Sequence, residues 1–148
     1  MEEKETKFIL LVEDNPGDIF LTQQAFRESK TTNIIQVVKN GVECMEFLRK
    51  EGRFAGVQMP DMILLDLNLP KKNGREVLAE VKHDDKLKFI PVIVLTSSQN
   101  ESDIISSYQL NANCYITKPV DYDEFIRIIK SIENFWFTTV RLPKKCLN

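Results

Sequence analysis

Five side chains able to do chemistry stand where short apolar runs of this chain stop. Glu13 and Asp14 follow "FILLV", Asp66 follows "MILL", Thr96 closes "PVIVLT", and Lys118-Pro119 follows "NCYIT". Adjacent carboxylates at the end of an apolar run repel each other and lose solvation. They can be a solvated turn, or they can be one wall of a cation site. Three carboxylates brought together call for a cation, and all-oxygen ligation with retained waters suits Mg²⁺. Lys118 offers a mobile point charge and Thr96 a hydroxyl donor, both matched to phosphoryl oxygens. A metal, an ammonium and a hydroxyl around one aspartate make a site for phosphoryl transfer to that aspartate. Positioning and charge neutralisation then carry the reaction. Asp66 is the natural acceptor, because it ends the most apolar run. Each residue alone has a bland explanation as a turn or strand residue; a solvated-turn account explains their joint occurrence poorly.

The elements that must position these groups are legible in the periodicity. Residues 8–12, 33–38, 62–66, 91–96 and 113–117 read as strands. Helices are expected from Pro16 to about Lys30 and over 41–50, 74–83, 101–110 and 121–136. Asn15 is the N-cap of the first, Pro16 its first residue, and Asp18 closes its opening turn. Five strands alternating with five helices predict an α/β fold, an open, mostly parallel sheet between two helix layers. Such sheets collect ligands at the carboxyl ends of their strands. The reactive residues therefore converge on one rim.

Composition sets the boundaries. With 148 residues, 43% hydrophobic and 28% charged, the chain is expected to form one domain with an ordinary core. A net charge of −2 with interspersed signs leaves no basic footprint for nucleic acid. No apolar run is long enough to span a bilayer, and "MEEKETK" lacks a signal-peptide core, so a cytoplasmic location is expected. Cys44, Cys114 and Cys146 are too scattered to predict a disulfide framework or a zinc site. The single histidine, His83, reads as a solvated surface residue.

"LLVEDNPGD", "MILLDLNLPKKNG", "PVIVLTSS" and "CYITKP" together resemble the signature segments of response-regulator receiver domains of two-component signalling, over residues 7 to 136. The resemblance implies a flavodoxin-like (βα)₅ fold of strand order 2-1-3-4-5 and phosphorylation of Asp66 by the phosphohistidine of a sensor histidine kinase. It implies Mg²⁺ held by Asp14, Asp66 and the backbone carbonyl of Asn68, with Glu13 helping through water. Lys118 would pair with the phosphoryl group and precede a cis bond to Pro119. Thr96 and Tyr115 would form the conformational switch, and the small Ser97 would leave the phosphate accessible. Such a protein is not a free-standing enzyme; it assists its own phosphorylation and dephosphorylation.

The segment "EGRFAGVQMP" (51–60) is longer than usual for the family, and "FTTVRLPKKCLN" (137–148) is too short for an output domain. Residues 1–6 read as a tail, 7–136 as the receiver and 137–148 as an extension, which implies a stand-alone receiver. "EDNPGD", the long connection and "LNLPKKNGREVLAEVK" are similar to the response regulators that accompany phytochrome-type kinases in cyanobacteria, where dimers occur. A homodimer through the fourth helix, fifth strand, fifth helix and extension is therefore expected, although Trp136, Phe137, Val140 and Leu142 could also cap their own domain. Three rivals stand beside this reading. An Mg²⁺-dependent phosphohydrolase with an Asp nucleophile would need a second acid where "LLDLNLP" has Asn68. A flavodoxin-like cofactor carrier would have "EDNPGD" repelling its phosphate. A receiver-like scaffold that is never phosphorylated would not need the full set Asp14, Asp66, Thr96 and Lys118.

Overall fold

Apolar runs and amphipathic stretches fold in strict alternation. The computed structural model describes residues 6–28 and 32–139, without the side chains of residues 138 and 139. Strands β1 (Lys7–Val12), β2 (Asn33–Val38), β3 (Met62–Leu65), β4 (Val92–Thr96) and β5 (Cys114–Thr117) form one parallel sheet of order β2-β1-β3-β4-β5, as expected. Helices α1 (Pro16–Arg27), α2 (Gly41–Leu48), α3 (Gly74–His83), α4 (Glu101–Gln109) and α5 (Tyr122–Asn134) connect or follow them. The middle strand β3 is buried along its whole length, because helices cover both of its faces.

Alternation along the strands divides the core in two. Leu10, Val12, Ile63, Leu65 and Val94 face Phe47 and Leu48 of α2 and Val77, Leu78 and Val81 of α3. Ile9, Leu11, Met62, Leu64 and Ile93 face Ala25 and Phe26 of α1 and Phe125, Ile129 and Ile132 of α5. Register then fixes the rim: Val12 pairs with Leu65, Leu65 with Val94, and Thr96 with Thr117. The residues that follow these positions come together at the carboxyl edge.

Asn15, Asn40, Asn73 and Asn100 cap α1 to α4, each accepting a backbone N–H with its side-chain oxygen. Two of these starts abut the loop after β3. A Cβ on Gly74 would lie 2.4 Å from the carbonyl oxygen of Asp66, and one on Gly41 2.1 Å from that of Lys72. Both helices can seat there only with a glycine.

Three helix ends fall short of the sequence reading by two residues or more, and the remaining bounds agree to within one. Helix α1 ends at Arg27 rather than near Lys30, with Glu28 as its C-cap. Helix α2 stops at Leu48 rather than Lys50, where positive φ at Lys50 and Gly52 turns the chain away. The last helix runs from Tyr122 to Asn134 instead of 121–136 and passes into a π-helical turn, Phe135–Thr139. The long connection also holds a 3₁₀ turn, Gly52–Phe54, that periodicity did not reveal. It buries Phe54 edge-on against Phe47, ring centroids 5.1 Å apart. Among the described residues no helix is long and apolar enough to cross a membrane.

Candidate functional site

The rim above β1, β3, β4 and β5 brings together the residues that the sequence singled out. One carboxylate oxygen from each of Glu13, Asp14 and Asp66 falls within 4.8 Å of the others. Glu13 and Asp66 are buried, while Asp14 is exposed at the mouth. Hard oxygen donors at this spacing, one of them open to solvent, suit a divalent cation.

Each buried acid is fixed in place. Glu13 Oε2 accepts the backbone N–H groups of Asp14 (3.1 Å) and Asn15 (3.3 Å), so the segment leading into α1 orients it. Asp66 Oδ1 accepts the Thr96 hydroxyl at 2.8 Å and the Asn68 backbone N–H at 3.1 Å. Lys118 reaches across from the end of β5 and donates to Glu13 Oε1, to Asp66 Oδ2 at 3.0 Å and to Asp18 Oδ2 at 2.8 Å. Asp18 is the residue that the sequence reading missed. Its role there was local, at the start of α1, and that role is real: its N–H bonds the Asn15 side chain at 3.0 Å. Nothing local marks its carboxylate as a partner of a lysine 100 positions away.

The Lys118–Pro119 bond is trans, which corrects the expected cis bond; no described peptide bond is cis. An X–Pro amide keeps a trans preference of about 0.5–1 kcal/mol, and Lys118 makes all three carboxylate contacts from the trans form.

The charges divide the two buried acids. Burial, followed by the neighbouring Asp66, raises the Glu13 carboxyl from 4.5 to about 7 against the pull of Lys118. Burial also works to raise Asp66, but the Lys118 charge, with hydrogen bonds from Glu13, Asn68 and Thr96, holds it below its ordinary value. Burial opposes the charge on Lys118, yet Asp18, Glu13 and Asp66 keep its pKa above the usual lysine range. Asp66 thus holds its charge, and Glu13 is the neighbour that takes a proton first.

Around this centre, Tyr115 donates its hydroxyl to the Ser98 carbonyl at 2.9 Å, tying β5 to the loop after Thr96. Ser97 is exposed, Asn68 sits exposed beside Asp66, and Phe20 and Val120 stand in solvent on the segments that supply Asp18 and Lys118. His83 is exposed on α3 and takes no part.

With this geometry established, comparison with known proteins gives a consistent result. The family model for the response regulator receiver domain matches residues 9–130. Response regulator Rcp1 of Synechocystis sp. (strain ATCC 27184 / PCC 6803 / Kazusa) is 46% identical over 142 residues, 96% of this chain and 97% of Rcp1. Among solved structures, the phosphorylated cyanobacterial phytochrome response regulator RcpA is 52% identical with a TM-score of 0.92, covering 95% of this chain and 100% of RcpA. The Mn²⁺-bound form of Rcp1 is 46% identical with a TM-score of 0.90, over 93% of this chain and 99% of that one.

Proposed function

This chain belongs to the response regulator receiver family, and we propose that it accepts a phosphoryl group on Asp66 from a phytochrome-type sensor histidine kinase. The observation that carries this reading is the ionised, buried Asp66, held between the Thr96 hydroxyl and the Lys118 ammonium beside two further acids. An Asp66 oxygen forms the O–P bond as the P–N bond to the donor imidazole breaks, the electron pair leaving with the nitrogen. Asp14, Asp66 and the backbone carbonyl of Asn68 would hold Mg²⁺, with Glu13 acting through water. When bound, that ion neutralises the acids and the phosphoryl oxygens.

The chain's own residues do the rest. Lys118 holds one phosphoryl oxygen; Thr96, released from Asp66, donates to another. Pulling Thr96 inward shifts the loop that Tyr115 grips through Ser98, and Tyr115 follows. The surface of α4, β5 and α5 is thereby biased between two packings. Ile105, Tyr108, Tyr122 and Phe135 on or beside those helices are apolar and exposed, which supports a homodimer there; Val140 and Leu142 of the extension lie outside the described residues. Residues 7–136 act as one receiver unit that assists its own phosphorylation and dephosphorylation in the cytoplasm.

Asp66→Asn tests the reading. It abolishes Mg²⁺-dependent incorporation of phosphate from a small phosphodonor; undiminished labelling of that variant overturns the assignment. The phosphohydrolase alternative loses its second acid at Asn68, whose exposed amide cannot act as a general acid.

A further inference from the structure

Lys118 has three ammonium protons and three carboxylate acceptors, so its donors are fully used. A phosphoryl oxygen can bind Lys118 only by displacing one of them. The three acceptors are held unequally. Glu13 is tied to two backbone N–H groups and its side chain is 4% exposed. Asp66 keeps the Asn68 N–H on Oδ1 and carries the incoming group covalently, so it stays beside Lys118, with its side chain 8% exposed. The Asp18 side chain is 28% exposed, and its carboxylate has no other hydrogen-bond partner among the described residues. It also lies in the first turn of α1, where the helix N-terminus keeps a solvated carboxylate stable once released.

We propose that Asp18 is a positioning residue for the reaction at Asp66: it occupies on Lys118 the place that a phosphoryl group on Asp66 takes, and so sets how tightly that group is held. This rests on the reading of Asp66 as acceptor. Asp18 keeps the ammonium aimed at Asp66 while the site is unphosphorylated. It yields when the phosphoryl oxygens arrive, because two anions on one proton of Lys118 repel each other. A helix-capping or merely structural Asp18 predicts a change in melting temperature and none in anion affinity.

The test measures the affinity of the 148-residue chain for beryllofluoride, a phosphoryl mimic, by calorimetry at saturating Mg²⁺. Asp18→Asn and Asp18→Ser bind it roughly tenfold more tightly than wild type, the scale of one charge-assisted hydrogen bond at a partly exposed site. Asp18→Glu, which restores the competing carboxylate, returns the affinity towards wild type. Unchanged or weaker binding in both the Asn and Ser variants overturns the proposal. Persistent phosphate labelling of Asp66→Asn would instead overturn the acceptor reading beneath it, so the two failures are separable.

Discussion

Glu13 is the residue whose ionisation the fold opposes. Burial lifts its carboxyl to about 7, so its contribution to stability is complete below 4.5 and is lost as pH rises through 7. Asp66 runs the other way. With its pKa lowered, it contributes above the ordinary value of 3.8 and loses that contribution as pH falls through its folded value. Lys118, raised, contributes throughout the range below 10.5. Of these three, only Glu13 titrates between about pH 5 and 7, with a limiting slope of about 1.4 kcal/mol per pH unit. In chelator, the melting temperature of wild type should therefore fall across that window relative to Glu13→Gln, other titrating groups cancelling between the two proteins. Parallel curves would refute the assignment. The sequence made Glu13, Asp14, Asp66, Thr96 and Lys118 legible because each ends an apolar run. Asp18 was hidden because the N-terminal turn of a helix already accounts for an acid there. The peptide bond before Pro119 was misread because a family habit stood in for local preference.

Helix starts, more than helix faces, hold the site in place. Helix α3 begins at Gly74, against the carbonyl of Asp66 and the Cα of Leu67, where an added methyl would sit 2.4 and 2.6 Å from backbone atoms. Neither neighbour can rotate away, so Gly74→Ala should cost about 1–3 kcal/mol or more by overpacking and should displace Asp66 as well. Urea unfolding measures the first effect, and beryllofluoride affinity at saturating Mg²⁺ the second. A variant with wild-type stability would show that the loop is softer than its packing implies. The strands and α3 were legible because their apolar period is undiluted. The 3₁₀ turn around Phe54 was not, since a single aromatic in a polar loop has no period to read. The π-helical turn after α5 kept helical spacing in its side chains, so the reading ran on to residue 136.

Across the whole molecule, the apolar residues near the C-terminus divide between two uses. Trp136 and Phe137 pack against the core shared by α1 and α5, while Phe135, like Ile105 on α4, stays exposed. Val140 and Leu142 lie outside the described residues. At tens of micromolar, about ten times a weak dimer's dissociation constant, wild type should sediment as a dimer with beryllofluoride. Ile105→Glu and Phe135→Glu should shift it to monomer. A wild-type monomer with and without the mimic would contradict the dimer. The contacts that define the site also reach far along the chain. Lys118 joins Glu13, Asp18 and Asp66 across 105, 100 and 52 positions, and Thr96 joins Asp66 across 30. Contacts of such separation carry a loop-closure cost that local contacts do not. Without β5 in place, the acids of the first and third strands face one another without their lysine. The site is complete only where the fifth strand is docked, so its lysine contacts double as a mark of the closed fold.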